Sequence, residues 1–218
     1  MRTHPVFLCL EGRPCVVIGG DAAIEGKVDS CRRAGAEVTV VAAELSPPLR
    51  ALADSGAVQW RSRDYQPGDL RGAALAYAST RDPERIALLR DEAARERVLL
   101  NVIDVPEACS FIAPAVVDRG ALQVAIGTGG ASPLLAARLR RELDGQLGRE
   151  YGPLVEILGA VRRTLGPDPG RTAILAALLD SPLRELLRRG DRTAVDRLLT
   201  RVAGERCSLD RLGVEAGA

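Results

Sequence analysis

Short apolar bursts punctuate the first half of the chain. Arg13-Pro-Cys-Val-Val-Ile-Gly-Gly20, Glu37–Ala42, Val58–Arg61, Ala73–Ala78 and Val98–Ile103 each read as a strand. Runs this short and this continuously apolar suit strands that are buried on both faces. Helical stretches lie between most of them: Ala23–Ala34 with Gly35 as its stop, Pro47–Ser55 ending at Asp54-Ser-Gly, and Asp82–Glu96. Strands alternating with helices predict a parallel sheet joined by right-handed crossovers.

The pattern then changes. Ser110 to Gly130 reads as two strands joined by a turn at Asp118-Arg-Gly120, an antiparallel hairpin that does not continue the βαβ series. Ser132-Pro133 is an N-cap followed by proline at the first helical position, and Leu134, Leu135, Ala137, Leu139 and Leu143 carry a helix to about Leu147. Tyr151–Leu165 is a further helix, stopped by Gly166-Pro-Asp-Pro-Gly170, and two or three more fall within Arg171–Val202. The tail, Cys207 to Ala218, reads as frayed. The expected fold class is α/β: a Rossmann-like parallel-sheet domain over 1–112, a small antiparallel segment (hairpin plus helix) over 113–148, and a helical C-terminal domain over 149–218. The hairpin, Phe111 to Ile126, is too apolar to stand alone, which suits a homodimer.

Composition narrows the options. Hydrophobic residues make up 46% of the 218 and aromatics only 3%, so the core is built from Ala, Val, Leu and Ile. A net charge of +1 gives no strong field for nucleic acid. No apolar run approaches the roughly 20 residues of a membrane span, and the apolar start is too short for a signal peptide, so a cytoplasmic protein is expected. The five cysteines, Cys9, Cys15, Cys31, Cys109 and Cys207, are odd in number and lack metal-ligand spacing, which fits free thiols in a reducing compartment. His4 and Lys27 are single occurrences, and the other 29 basic residues are arginines, whose forks pair carboxylates in bidentate fashion. Codon preference explains most of that richness.

Candidate chemistry gathers where strands end. Asn101-Val-Ile-Asp104-Val-Pro106 delivers one carboxylate at the carboxyl end of a strand, the edge where open α/β sheets hold ligands. A plainer reading makes Asp104 a turn residue bonded to its own backbone. After the first strand comes Gly19-Gly20-Asp21-Ala22-Ala23-Ile24. Of the dinucleotide pattern G-x-G-x-x-G/A only Gly19 stands, with Asp21 and Ile24 at the second and third positions. A carboxylate about 5 Å from a phosphate costs roughly 3 kcal/mol at an effective dielectric near 20. Gly26-Lys27 superficially suggests a Walker loop, but its spacing is one residue too long and Val28 replaces the magnesium-binding hydroxyl. Ala43-Glu44 sits near the place of a ribose-binding acid, 25 residues after Gly19, although a charge at the start of the next helix explains Glu44 equally well. Thr80-Arg81-Asp82 follows the fourth strand, with Asp82 read as a helix cap. Gly127-Thr-Gly-Gly130 offers backbone N–H groups for carboxylates, and Arg119, Arg138, Arg140 and Arg141 are candidate carboxylate partners, the last two more in keeping with a solvated face.

Taken in order, the glycine turn, Ala78-Ser-Thr-Arg-Asp82, Asn101–Pro106, Ser110-Phe-Ile-Ala-Pro114 and Gly127-Thr-Gly-Gly-Ala-Ser-Pro133 resemble the precorrin-2 dehydrogenase / sirohydrochlorin ferrochelatase family, the N-terminal half of bacterial siroheme synthase. The similarity runs from about Pro5 to Leu147. It implies a Rossmann domain, a dimerisation segment shared between subunits and a helical domain. It also implies oxidation of precorrin-2 to sirohydrochlorin with NAD, followed in many members by insertion of Fe2+; Co2+ is the other metal to test as chelation substrate. Asp104 falls on the family's catalytic aspartate, where a carboxylate could take the protons that oxidation or chelation releases. Gly19, Gly20, Asp21, Ala22, Ala23, Ala43, Glu44 and Thr80 fall on cofactor-contacting segments. Ser110, Thr128 and Gly129 are implied near the many-carboxylate tetrapyrrole, with Asp104 and Thr128 near the metal and no metal held by the protein alone. Where the family usually has Gly-Gly-Gly and Arg-Lys, this chain has Gly19-Gly20-Asp21 and Gly26-Lys27. A chain this short is expected to lack the C-terminal methyltransferase domain. Two alternatives remain: a chelatase without NAD binding, and a non-catalytic protein that binds tetrapyrrole or nucleotide.

Overall fold

The structure is a computed structural model that describes residues 2–214. The chain forms two compact units, one of residues 1–113 with 129–131 and one of 114–128 with 132–218.

The first unit is a five-stranded parallel sheet in the order β3-β2-β1-β4-β5. Its strands are β1 (Pro14–Ile18), β2 (Glu37–Val41), β3 (Gln59–Arg61), β4 (Leu75–Ala78) and β5 (Leu99–Val102), and its helices are α1 (Ala22–Arg33), α2 (Pro47–Asp54) and α3 (Pro83–Glu96). Alternate residues of β1 feed opposite faces, as the two-residue period requires. Cys15 and Val17 join Ile24 and Val28 of α1 and Leu49 of α2. Val16 and Ile18 join Leu89 and Ala93 of α3. Asp21 and Asp82 cap α1 and α3 through the N–H groups of Ala23 and Glu84, and Pro83 opens α3. Cys15 and Cys31 are buried thiols on facing elements; the hydrogen bond between them lowers Cys15 and, together with burial, raises Cys31.

The crossover from β3 to β4, residues 62–74, contains no helix, so its buried backbone groups need other partners. Two acids supply them. Glu92 of α3, 1% exposed, accepts from the Tyr65 hydroxyl and from the N–H groups of Gly68 and Leu70, each of the latter at 2.9 Å. Asp69 accepts from Gln66 N–H at 2.9 Å and from the guanidinium groups of Arg61 and Arg63 at 2.8 and 2.6 Å. Burial pushes the Asp69 carboxyl up, but these bonds outweigh it and hold it below the usual range.

The outer edge of β5 is covered by 109–111. Leu100 N–H donates to Ser110 Oγ at 2.8 Å, Val102 N–H to Cys109 Sγ at 3.2 Å, and the Asn101 amide to Phe111 O at 2.9 Å. Phe111 packs edge-on against Tyr77, 5.5 Å between centroids. This docking corrects the expected strand start at Ser110: the hairpin strands are β6 (Ala115–Arg119) and β7 (Leu122–Ile126). The turn also lies later than Asp118-Arg-Gly. Arg119 pairs with Leu122, which leaves Gly120 and Ala121 in the turn, with Gly120 at φ +69° and its N–H on Asp118 Oδ1. Glycine first in a two-residue loop is the II′ arrangement, whose twist suits a hairpin.

The second unit adds α4 (Pro133–Gln146), α5 (Tyr151–Leu165), α6 (Arg171–Leu179), α7 (Leu183–Arg188), α8 (Arg192–Ala203) and α9 (Leu209–Leu212). Ile157, Leu178, Leu183, Val195 and Leu199 form its helical core. The frayed tail is a further correction. Cys207 and Leu209 fill that core, and Leu209 N–H donates to Asp196 at 2.7 Å. Only 215–218 of that stretch lie outside the described residues. Arg119 bonds the carbonyls of Leu147 at 2.7 Å and Asp144 at 2.8 Å and pairs with the Asp144 carboxylate, tying β6 to the end of α4.

Glu92→Ala removes the acceptor of the buried Leu70 N–H and Tyr65 hydroxyl and of the Gly68 N–H, and leaves a cavity, at a cost of about 3 kcal/mol. Urea unfolding should show a midpoint lowered accordingly, and an unchanged midpoint would mean that the crossover does not depend on Glu92.

Candidate functional site

The chain order places β2 and β3 on one side of β1 and β4 and β5 on the other, so the order in which strands are added reverses between β1 and β4. Outside the carboxyl ends at such a reversal is the crevice where open α/β sheets hold ligands. A cleft of about 470 Å³ lies there, lined by Gly19, Gly20 and Asp21 after β1, Ala43, Glu44 and Ser46 after β2, Ser79 after β4, and Asp64, Tyr65 and Arg85.

Its shape follows from two glycines. Gly19 has φ +119°, and its N–H bonds Val41 O at 3.0 Å. A Cβ on Gly20 would stand 2.0 Å from Glu44 O, so no side chain fits where the two loops touch. Ser46 N–H donates to Gly20 O at 2.7 Å, and Ser46 Oγ donates to Glu25 at 2.6 Å, fixing the loop after β2 against α1. Asp21 Oδ1 accepts from Ala23 N–H at 3.0 Å and Oδ2 from Ser79 Oγ at 2.7 Å. The described lining thus carries three carboxylates, Asp21, Glu44 and Asp64, and one guanidinium, Arg85, which pairs with Asp64 at 3.5 Å.

Gly19, Gly20, Asp21, Ala43 and Glu44, expected together from the sequence, do meet in this cleft. Ala22 and Ala23 instead form the first turn of α1. Thr80 does not line the cleft: its Oγ1 accepts from Asp82 N–H at 3.2 Å, and the neighbouring Ser79 takes the position beside Asp21. Ser79, Tyr65, Asp64 and Arg85 were not singled out from the sequence. Only Ser79 carried a signal, as a hydroxyl directly after a buried strand.

Asp104 stands at the carboxyl end of β5, outside the cleft lining. It is the third residue of a turn closed by Val105 N–H to Val102 O at 3.2 Å, with φ +61°. Its side chain is 76% exposed and lies 3.9 Å from Arg81 Nη2. A left-handed aspartate is strained backbone of the kind that gathers at functional sites. The Ser110 hydroxyl is engaged with β5, as described. In the second unit, Thr128 Oγ1 bonds the backbone of Ser132 in both directions, at 3.1 and 3.2 Å, closing the loop that enters α4. Gly129 and Gly130 have φ +60° and +80°. Arg138 pairs with Glu142 at 2.9 Å, and Arg140 and Arg141 lie along the same helix, half-buried and exposed. Among the described residues, no group of three or more His, Cys, Asp or Glu could hold a metal, and no helix is long and apolar enough to cross a membrane.

Residues 6–115 match the family model described as putative NAD(P)-binding, just over half the chain. The chain belongs to this family. Residues 119–146 match a second model, sirohaem biosynthesis protein central. Similar proteins include siroheme synthase 1 of Pectobacterium atrosepticum, 40% identical over 162 residues, which are 74% of this chain and 34% of that protein. Siroheme synthase of Methylococcus capsulatus is 34% identical over 203 residues, 91% of this chain and 43% of that one. The chain spans about a third of the length of the first of these relatives. Among solved structures, SirC, precorrin-2 dehydrogenase, shares the fold with a TM-score of 0.69 and 24% identity over 84% of this chain and 92% of that one.

Two glycine variants test the geometry. Gly20→Ala forces the loops apart and costs about 1–3 kcal/mol, as overpacking does. Gly26→Ala, on α1 with open space around it, stabilises by about 0.5–1 kcal/mol. Thermal unfolding of the pair should move in opposite directions.

Proposed function

We propose that the chain oxidises precorrin-2 to sirohydrochlorin with NAD in siroheme biosynthesis. The observation that carries this reading is the glycine-walled cleft at the sheet's reversal point, in a chain whose residues 6–115 belong to an NAD(P)-binding family. The lining suits a dinucleotide in most respects. Glu44 would accept hydrogen bonds from the ribose hydroxyls; Arg85, the one guanidinium in the described lining, is paired with Asp64, and Asp21 is the local misfit. Bound NAD supplies a hydride acceptor.

The remaining work falls to the chain's own groups. Oxidation also releases a proton, and Asp104 would take it: its left-handed turn holds the carboxylate out from the end of β5, where a macrocycle can reach it. Arg81 beside it would pair with a substrate carboxylate. Thr128 and Gly129, ahead of the α4 N-terminus, are substrate contacts by the resemblance alone. Shelter for Asp104 would come from bound substrate or from a second subunit. In the second unit Leu134, Leu135 and Val116 are exposed, Leu134 at 78%. Apolar exposure of this kind favours association, which supports a homodimer. Free thiols and the absence of a membrane-length helix among the described residues fit a cytoplasmic enzyme.

A second reading, a chelatase that inserts Fe2+ or Co2+ into sirohydrochlorin without using NAD, is favoured by the Asp21 carboxylate in the nucleotide cleft. Calorimetry with NAD, followed by anaerobic assays with precorrin-2 and then with sirohydrochlorin plus Fe2+ or Co2+, separates the two. NAD binding with precorrin-2 turnover supports the dehydrogenase; metal insertion without NAD binding selects the chelatase. Asp104→Ala should lower turnover at least about 100-fold at unchanged NAD affinity, the range of a lost general base. Full turnover in that variant would remove Asp104 from the reaction. Light scattering should give twice the 23.2 kDa chain mass, and Leu134→Glu should shift it toward the monomer.

A further inference from the structure

We propose that Asp21 is a built-in anion that occupies the phosphate position of the cleft and sets a low affinity for phosphorylated nucleotides. The inference rests on reading the cleft as a nucleotide site and concerns what this chain's own residue does to it. The N-terminus of a twelve-residue helix at the reversal point of a parallel sheet normally attracts a ligand's anion, through free N–H groups and the helix dipole. Here the chain itself supplies the negative charge. Asp21 caps α1 on Ala23 N–H at 3.0 Å, and its second oxygen accepts from Ser79 Oγ at 2.7 Å, so a side chain from the end of β4 holds it in place. Other charges do not offset it. Glu25 lies in the first turn of α1, Glu44 and Asp64 line the same cleft, and Arg85 is already paired with Asp64 at 3.5 Å and faces Asp82 at 4.0 Å.

A pyrophosphate brought to this turn must either displace the carboxylate from its two donors or sit beside it. Displacement forfeits a cap and a charge-assisted hydrogen bond. Coexistence places like charges within about 5 Å, a penalty near 100-fold at an effective dielectric of about 20 and smaller for an exposed group. Either route weakens phosphate binding and leaves the nucleoside end of the cleft untouched. Asparagine keeps the cap geometry and removes only the charge, so the effect can be isolated.

Titration calorimetry of wild type, Asp21→Asn and Asp21→Ser with NAD, ADP and adenosine tests this. Adenosine, which carries no phosphate, should bind the three proteins alike, while NAD and ADP should bind both variants at least about tenfold tighter than wild type. Circular dichroism should show α1 intact in both variants. NAD and ADP affinities that are equal across the three proteins, or tightest for wild type, with adenosine still bound, overturn the role of Asp21 and leave the cleft reading standing. No binding of any of the three ligands to any of the proteins overturns the cleft reading, and this inference with it.

Discussion

Everything at the sheet's carboxyl edge depends on how closely the loop after β1 approaches the loop after β2. Gly20 lies so near Glu44 O that a Cβ would overlap it at 2.0 Å, and Gly19 reaches φ +119° to make the turn. That contact brings Ala43 and Glu44 against the start of α1 and leaves a cleft between loops rather than a filled gap. It holds because β1 is the central strand: β2 on one side and β4 on the other pin Ile18 in register with Val41 and Ala78, so the turn after it has little room to shift.

The same edge needs a stable far wall. The helix-free crossover at 62–74 supplies Asp64 and Tyr65 to the cleft, and a segment without regular structure keeps its shape only if its backbone donors are met. Glu92 and Asp69 meet them from opposite directions, one from α3 and one from within the segment. On the β5 side, Ser110, Cys109 and Asn101 seal the outer strand, which leaves Asp104 projecting from the last turn of an otherwise closed edge. Ser110, a substrate-contact candidate in a linear reading, bonds β5 here, and Arg119, a candidate carboxylate partner, ties β6 to the end of α4 in the second unit. On the β5 side the exposed acid, Asp104, has a left-handed backbone.

The chemistry proposed for the chain therefore separates into two parts that the fold holds differently. The nucleotide cleft is built from backbone approach and is rigidly specified. Asp104 is a single side chain on a turn, 76% exposed and 3.9 Å from Arg81. An enzyme of this plan would draw its cofactor geometry from the sheet and its substrate geometry from whatever covers Asp104.

Much of this was legible in the linear chain. Five apolar bursts, the Asp82-Pro83 and Ser132-Pro133 caps, the hairpin and the helical remainder arise from periodicity and near-neighbour capping, which act over a few residues and do not wait for the fold. Gly19, Gly20, Asp21, Ala43 and Glu44 could be placed at one edge because strands of a parallel sheet present the same end. Only the tertiary structure decided the rest. Glu92 and Tyr65 are 27 positions apart, and Asp21 and Ser79 are 58 apart, so their hydrogen bonds exist only once the sheet has brought them together. Whether Ser79 or Thr80 reaches the cleft turns on the pleat at the end of β4, and whether Cys207 and Leu209 fray or pack turns on a gap left by helices far earlier in the chain. Local pattern determines which elements form; long-range burial determines which polar group is spent on structure and which is left for chemistry.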